Sequence, residues 1–430
     1  MNLKRTLLAT SLLSTLGLFS TATTAAGFQL AEYSATGLGR AYAGEAAMAD
    51  NASAQWRNPA MLTYLKGTQV SVGAIYVDPN IDINGEVKQY WNGESEQANA
   101  HDFADSAVIP NFYISHQINE QLFAGFAAGT NYGMETNLGK DFTASHFGNE
   151  AAVTTMELNA NLGYQINERL SIGGGLRYII AEGHFGATAP TENVIGIPAG
   201  TPLKYMEGDT TDWGWQLGAA WQINDSNRLG IAYKSEVNLK LEGDAKIFDP
   251  ESKSVLTDTG SMELPLPATL EIASFHQLSN DWAIHASFNW TNWSSFEKLE
   301  ANLDTYGTTT VKDENWKDNY RFAVGATYQL NEKLVLRTGA AYDTSAVSDD
   351  YRTITIPETD RTWLSFGASY DFTSQFTLDG GFTYIFAKDA DVNEPREGTS
   401  DWESALIGGS FSGTTTGNVW LLGVQANYTF

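Results

Sequence analysis

The sequence predicts an all-β fold, a transmembrane antiparallel β-barrel of about 14 strands preceded by an N-terminal plug with short helices. Three observations support this prediction. Apolar residues alternate with small polar ones along many segments, short polar turns recur at similar intervals, and a secretory signal peptide is followed by no apolar stretch long enough for a transmembrane helix.

Residues 1–25 have the pattern of a secretory signal peptide. A positive start at 4–5 precedes an apolar run over 7–19, and small residues at 20–26 supply a cleavage region. Cleavage after either of the last two alanines satisfies the small-residue rule. Because no later segment reaches about 18 apolar residues, the destinations left open are the periplasm, the medium and the outer membrane.

The composition excludes several classes of protein. The 430 residues contain no cysteine, which rules out a disulfide scaffold, a thiolate zinc site and a cysteine nucleophile. Acidic residues number 51 against 25 basic ones, and the net charge of -26 argues against nucleic acid as a partner. No nucleophile elbow, zinc-binding helix or phosphate loop is present, so we predict neither an enzyme nor a cofactor nor a metal site.

The C-terminal segment 417–430 shows the alternation most clearly. Every second residue from Trp420 to Phe430 is apolar or aromatic, whereas the opposite face becomes small and polar. A soluble sandwich would place lysine and glutamate on its outer face. Glycine, serine, threonine, asparagine and glutamine instead indicate an apolar face toward lipid and a polar face toward a lumen.

Short turns and long acidic connections alternate along the chain, as expected for the two rims of an outer-membrane barrel. The short turns are 118–122, 166–170, 223–229, 278–282, 330–334 and 372–376. The long connections are 84–105, 134–152, 186–208, 243–262, 298–317, 343–360 and 388–416. The predicted strands are 68–83, 106–118, 121–133, 153–167, 169–185, 209–224, 227–242, 263–278, 281–297, 318–330, 333–343, 361–373, 375–387 and 417–430.

Residues 26–66 fit no strand. Their middle is rich in alanine, which suits a short helix, and Asn58-Pro59 suits a turn or a helix start. A disordered tail would be less apolar. We therefore assign 1–25 to the signal peptide, 26–66 to a plug inside the barrel and 67–430 to the barrel.

The N-terminal runs resemble the long-chain fatty acid transporter family of outer-membrane proteins (FadL-like). They are Gly-Phe-Gln-Leu at 27–30, Gly-Leu-Gly-Arg-Ala-Tyr-Ala-Gly-Glu at 37–45, Ala-Asp at 49–50 and Arg-Asn-Pro-Ala at 57–60. Further matches follow in order at 76–79, 131–133, 233–237, 264–267, 282–285, 316–318, 337–339 and 356–357. The family fold is similar to the one predicted above, with an N-terminal hatch filling the lumen.

The resemblance implies passive uptake of hydrophobic molecules. A ligand would be captured in an outer apolar groove between extracellular loops and move to an internal pocket beside the N-terminus of the hatch. It would leave through a gap in the barrel wall, where the third strand kinks inward. We therefore expect long-chain fatty acids or other hydrophobic small molecules as ligands, and outer-membrane lipid and lipopolysaccharide around a monomer.

The resemblance also implies ligand contacts. Phe28 matches a hatch phenylalanine near the ligand, with hatch packing as the alternative. Lys312 and Lys317 lie where the family has a basic contact for the carboxylate, and Lys312 aligns better; solvated loop lysines are the alternative. Asp343 matches an acidic residue near the pocket or, alternatively, ends its strand as a turn former.

Two further groups concern the hatch and the wall. Anchoring of the hatch by buried polar residues is expected for Arg40, Glu45, Asp50, Arg57, Asn58 and Pro59, with ligand contact as the alternative for the two arginines. The wall kink is expected at Gly129, Asn131 and Gly133, because glycine inside a strand suggests a bulge or a close backbone approach; ordinary curvature or a strand end is the alternative. Arg177 should point into the lumen, but Glu182 and His184 stand where relatives carry basic residues, which weakens the case for a carboxylate clamp on that strand.

Several alternatives stay open at this stage. The aromatic-hydrocarbon branch of the same family shares hatch and barrel. A surface adhesin or phage receptor would use the acidic loops, which also leave open calcium or bridging of lipopolysaccharide through divalent ions. An ordinary water-filled porin is disfavoured, because a plug would block bulk flow.

Overall fold

The computed structural model describes residues 27–430. The predicted signal peptide, 1–25, lies outside the described residues. Within 27–430, no helix is both long and apolar enough to cross a membrane.

The predicted fold is confirmed, since 14 antiparallel strands close a barrel. The first and last strands pair with each other, from Gln69 opposite Thr429 to Lys88 opposite Ser410. The strand segments are β1 (Thr68–Lys88), β2 (Ser95–Gln97), β3 (Ala107–Gln117), β4 (Leu122–Gly129), β5 (Gly133–Asn137), β6 (Glu150–Asn167), β7 (Leu170–Thr188), β8 (Pro202–Asn224), β9 (Asn227–Lys234), β10 (Val237–Asp249), β11 (Ser254–Leu266), β12 (Thr269–Gln277), β13 (Trp282–Thr291), β14 (Lys298–Leu303), β15 (Gly307–Asp313), β16 (Asn319–Asn331), β17 (Leu334–Asp343), β18 (Arg361–Asp371), β19 (Phe376–Ala387), β20 (Ala390–Glu394) and β21 (Ser410–Thr429).

Three wall strands consist of two segments with a short break between them. These pairs are β4 with β5, β9 with β10, and β11 with β12. The last break contains Pro267, which has no N–H for the ladder. The segments β2, β14, β15 and β20 lie in the long connections.

The inferred orientation of the two strand faces agrees with the burial of the side chains. On β16, the side chains of Phe322 and Val324 are 53% and 61% exposed, whereas Arg321 and Ala323 are 8% and 3% exposed. In a barrel that closes on itself, an exposed apolar belt is the surface that faces lipid.

The long connections contain more regular structure than the sequence predicted. The strand predicted at 209–224 begins at Pro202, and β10 and β11 continue as a hairpin through the predicted loop 243–262. The predicted loop 298–317 contains the hairpin of β14 and β15. These extensions pair backbone N–H and C=O groups beyond the predicted strands, where polar composition alone suggested irregular loops.

The N-terminal segment, 27–66, forms short helices and turns, and most of it is buried. It contains α1 (Ala35–Leu38), a 3-10 turn (Glu45–Ala47), α2 (Ala54–Arg57) and a second 3-10 turn (Pro59–Tyr64). Asn58 begins this last turn, because its side chain accepts a hydrogen bond from the N–H of Ala60 at 3.0 Å. Outside this segment lie a 3-10 turn (Trp293–Ser295) and α3 (Trp402–Gly408).

Glycines on the barrel wall let this segment approach the strands closely. A Cβ atom at Gly230 would collide with the carbonyl of Ala46, and one at Gly339 would collide with the backbone of Arg40. The small inward residues seen in the sequence therefore make room for the N-terminal segment.

Candidate ligand-binding site

A small apolar cavity of about 40 Å³ lies beside the start of the N-terminal segment. Its lining is mostly aliphatic and aromatic, with a few polar side chains. The lining residues are Phe28, Met134, Ala151, Ala152, Val153, Gly183, His184, Phe185, Leu241, Met262, Leu264, Phe296, Leu299, Lys312, Glu314, Thr355 and Ile356. A concave, mainly apolar space with a few polar groups is the usual form of a small-molecule site.

Phe28 reaches this cavity from a cluster of aromatic rings. Its ring centroid is 4.6 Å from that of Trp293 and 6.0 Å from those of Phe296 and Trp316. The ring is 1% exposed. Phe28 thus both lines the cavity and packs the N-terminal segment, so the two roles considered for it in the sequence are compatible.

Backbone hydrogen bonds hold Phe28 against the broken wall strand. The N–H of Gly133 donates to the carbonyl of Phe28 at 2.8 Å, and the N–H of Leu30 donates to the carbonyl of Asn131 at 2.7 Å. Gln29 forms an antiparallel bridge with Tyr132 between them. The N-terminal segment therefore pairs with the residues that separate β4 from β5.

Lys312 is the cation in the lining of the apolar cavity. Its ammonium donates to the carbonyl of Phe147 at 2.9 Å and lies 3.5 Å from the carboxylate of Glu394. The Lys312 side chain is 3% exposed. A buried ammonium beside apolar walls can bind a carboxylate with little competition from water.

Glu314 shares the lining with Lys312. Its Oε2 accepts a hydrogen bond from the indole N–H of Trp316 at 2.8 Å, whereas Oε1 has no hydrogen-bond partner. Burial raises the pKa of Glu314, against the opposing charges of Arg396 and Lys312. The sequence did not single out this residue, because Glu314 follows the end of β15 in a segment that was predicted as an irregular loop.

Lys317 and Asp343 lie outside the apolar cavity. Lys317 is exposed and does not belong to the lining. Asp343 lines a second, more polar cavity of about 40 Å³ together with Arg57 and Arg321. Its carboxylate accepts a hydrogen bond from the side chain of Asn319 at 3.0 Å.

Buried polar contacts hold the N-terminal segment. Arg40 contacts the carboxylates of Glu45 and Asp50, both at 2.7 Å. Burial alone would raise the pKa of Asp50, but the guanidinium groups of Arg40 and Arg337 outweigh burial and lower this pKa to about 2. These charges are therefore paired inside the protein.

Two of the contacts of this segment reach the barrel wall. Arg57 lies 3.1 Å from the carboxylate of Glu271 on β12. The amide of Asn58 donates to the carbonyls of Ala46 and Ala219, at 2.6 and 3.1 Å. Pro59 follows at the first position of its turn, where a missing N–H costs nothing.

The wall is broken between Gly129 and Gly133. Gly129 pairs with Glu157 and Gly133 with Thr154, so four steps on one strand oppose three on the other. This is the geometry of a β-bulge. Among the described pairings, residues 107–111 of β3 are joined to β1 but not to β4 or β5.

A charged cluster that the sequence did not predict holds the break. The side-chain amide of Asn131 donates to the carboxylate of Glu157 at 2.6 Å. The ammonium of Lys234 lies 3.3 Å from the Oδ1 atom of Asn131. Glu157 also pairs with Arg177 at 2.8 Å. Arg177 points inward as predicted, but its guanidinium is already bound to Glu157 and to the carbonyl of Ser235.

A larger apolar groove of about 520 Å³ adjoins the outer connections. It is formed mainly by β8, β10, β14 and β15 and contains Phe185, Met206, Phe248, Leu303 and Tyr306. Lys204 and Lys246 give it two cations in an otherwise acidic protein. A long apolar groove with basic groups suits an amphiphile with a negative headgroup.

Comparison with known proteins identifies similar chains. Residues 16–430 match the model of the family described as outer membrane protein transport protein (OMPP1/FadL/TodX). The long-chain fatty acid transport protein of Escherichia coli O6:H1 is 35% identical over 96% of each chain. The outer membrane protein P1 of Haemophilus influenzae is 34% identical over 99% of each chain.

Solved structures share the fold. A Pseudomonas aeruginosa FadL homologue superposes with a TM-score of 0.84 at 23% identity, covering 94% of this chain and 100% of its own. The Pseudomonas putida toluene transporter TodX superposes with a TM-score of 0.65 at 16% identity over the same shares. These likenesses concern the barrel and its topology.

Proposed function

The chain belongs to the OMPP1/FadL/TodX family of outer membrane transport proteins, and from this premise we propose that it admits long-chain fatty acids by passive diffusion. Its location is the outer membrane. The observation that carries the proposal is the buried ammonium of Lys312 in the lining of the apolar cavity. An acyl chain would have to widen the small apolar cavity in order to fill it, and its carboxylate would bind this cation.

The outer groove, the apolar cavity and the break in the wall suggest an order of events. The groove with Lys204 and Lys246 would capture the fatty acid from outside, and the apolar cavity would bind it next to Phe28. The ligand would then leave sideways at the break between Gly129 and Gly133. The backbone pairing of Phe28 with Gly133 supports this order, because it joins the cavity wall to the break.

Exit into lipid is favoured over exit into a watery lumen on energetic grounds. Each methylene that leaves water gains about 0.8 kcal/mol. An acyl chain passing from the cavity into the bilayer keeps that gain, whereas release into water forfeits it. A passive transporter for such ligands therefore works best with an opening in its wall.

We propose that the N-terminal segment, residues 27–66, is the plug of the barrel. Its burial and its contacts with β8, β9, β12 and β17 support this role. The exposed apolar belt would face outer-membrane lipid and lipopolysaccharide. Since β1 and β21 complete the wall within one chain, we infer a monomer.

Aromatic hydrocarbons are the second candidate. The ring cluster of Phe28, Trp293, Phe296 and Trp316 would suit a flat apolar ligand. A neutral hydrocarbon, however, has no charged group that could bind a cation. Lys312 lines the cavity, and Lys204 and Lys246 line the groove. This difference favours fatty acids.

Uptake of oleate by a bacterial strain without its own transporter tests the proposal. The strain would carry the intact chain, the Lys312→Ala variant, or the chain without residues 27–60, each checked for outer-membrane insertion by heat-modifiable migration. We expect the intact chain to restore uptake, the lysine variant to reduce it, and the deletion alone to leak small polar solutes. Correct insertion without oleate uptake would reject the fatty acid proposal, and toluene uptake would then test the second candidate.

A further inference from the structure

The outer groove and the apolar cavity have a single lining residue in common within residues 27–430, and it is Phe185. The free volume is about 520 Å³ in the groove and about 40 Å³ in the cavity. A ligand that passes directly from one space to the other must therefore pass the side chain of Phe185.

Phe185 sits on β7, where it pairs with Ala151 of β6 and Met206 of β8. It is 6% exposed. Ala151 lines the cavity and Met206 lines the groove, so the two neighbours of Phe185 belong to the two different spaces. The residue thus stands at the boundary between them.

Two small residues neighbour Phe185. A Cβ atom on Gly148 would lie 3.4 Å from the ring and 2.8 Å from the methyl group of Thr355, so the glycine keeps one further side chain away from the ring. Ala151 contributes only a methyl group. Small neighbours lower the number of atoms that must move when a buried ring changes rotamer.

The ring also contacts the cation of the cavity. The ammonium of Lys312 lies 5.6 Å from the centroid of the Phe185 ring, within the range of a cation–π interaction. The ring therefore lies next to the cation that we assign to the headgroup of the ligand.

We propose that Phe185 is a gate that separates the outer groove from the apolar cavity and opens by rotation of its ring. This inference rests on the proposed function, since it takes the groove and the cavity as successive sites for one fatty acid. The gate controls how fast the ligand exchanges between the two spaces. It contributes little to how tightly the ligand is held once it is inside.

A gate has a kinetic signature that a ligand contact lacks. A side chain that only obstructs passage changes the rates of binding and release by the same factor, because the free energies of the free and bound states stay the same. A side chain that contacts the bound ligand changes the dissociation constant, mostly through the release rate.

Stopped-flow binding of a fluorescent long-chain fatty acid to the purified full-length protein in amphipol tests the gate. The variants are Phe185→Ala and Phe185→Trp, with Phe185→Leu added because it preserves more packing. Two matched controls remove a ring from one space only. Phe296 lines the cavity but not the groove, and Phe248 lines the groove but not the cavity.

We expect Phe185→Ala and Phe185→Leu to raise both rates about fivefold or more and Phe185→Trp to lower both, with each rate changing more than the dissociation constant. Phe296→Ala should instead weaken binding mainly through the release rate. A dissociation constant that changes as much as the rates in both Phe185→Ala and Phe185→Leu, or unchanged rates in both, would overturn the gate. Failure of the intact protein to bind the fatty acid would reject the proposed function instead.

Discussion

The ammonium of Lys312 lies 3.5 Å from the carboxylate of Glu394, inside the wall of the apolar cavity. Glu394 belongs to β20, in the connection that precedes the last barrel strand, and its other oxygen accepts the N–H of Ile354 at 2.8 Å. The cation that we assign to the fatty acid is thus paired with a carboxylate of the protein.

This pairing predicts that Glu394 competes with the ligand. In the Glu394→Gln variant the negative charge is gone, while the amide can still accept from Ile354. We expect oleate to bind at least about threefold more tightly, because its carboxylate no longer has to displace the carboxylate of Glu394 from Lys312. Binding of methyl oleate should not change. Weaker oleate binding would show that Glu394 holds Lys312 in place rather than competing with the ligand.

A second prediction concerns Lys312. Replacing it with alanine should weaken oleate binding about tenfold or more, because a hydrogen bond to a charged group is lost from a buried site. Methyl oleate, which has no charge, should bind the variant and the original protein alike. Lys317→Ala is the matched control, because Lys317 is exposed and outside the cavity lining. A similar loss in both lysine variants would contradict the assignment.

A third prediction concerns pH and His146 in an outer connection. Burial lowers the pKa of His146 from 6.5 to about 4, and its Nε2 atom lies 3.3 Å from the carbonyl of Gly409. The folded state thus binds fewer protons than the unfolded state between these pH values. The neutral His146 ring therefore makes its full contribution to the free energy of unfolding above about pH 6.5, and this contribution is lost as the pH falls toward 4.

Hydrogen exchange checks this expectation. Amides of residues 139–149 and of α3 should exchange faster at pH 5 than at pH 7.5, after correction for intrinsic rates. The His146→Gln variant should lose this pH dependence, whereas His101→Gln should keep it, because His101 is exposed. If both variants retained the pH dependence of the original protein, another group would have to be responsible.

A fourth prediction concerns the anchoring of the N-terminal segment. Arg40→Ala leaves Glu45 and Asp50 without their common partner, which should lower the free energy of unfolding by about 3–5 kcal/mol. Arg169→Ala on an exposed turn should have almost no effect. Urea unfolding of the two variants in vesicles measures the difference. Equal stability would mean that the Arg40 contacts contribute nothing net.

Much of the wall could be predicted, because the alternation of residues such as Phe322 and Arg321 directly encodes two faces. The break between Gly129 and Gly133 was also marked, since glycine and asparagine interrupt the pattern. Period two tells which face a side chain is on but not which distant residue it meets. The pairing of Lys312 with Glu394 therefore required the structure.

The same limit applies to the cluster at the wall break. Glu157 lies on an inward face that the sequence predicts, but its contact with Asn131 depends on how far the bulge shifts the neighbouring strand. The continued hairpins β10–β11 and β14–β15 were missed for another reason. Their polar residues look like loop residues, and only backbone pairing makes them strands.

A crystal structure with a fatty acid brominated at its terminal carbon would show directly whether Lys312 binds the carboxylate. We expect the carboxylate to lie within hydrogen-bond distance of the Lys312 ammonium and the anomalous bromine signal to lie in the apolar cavity lined by Phe28. A bromine signal in the polar cavity beside Arg57 and Asp343, or a carboxylate remote from Lys312, would contradict this expectation.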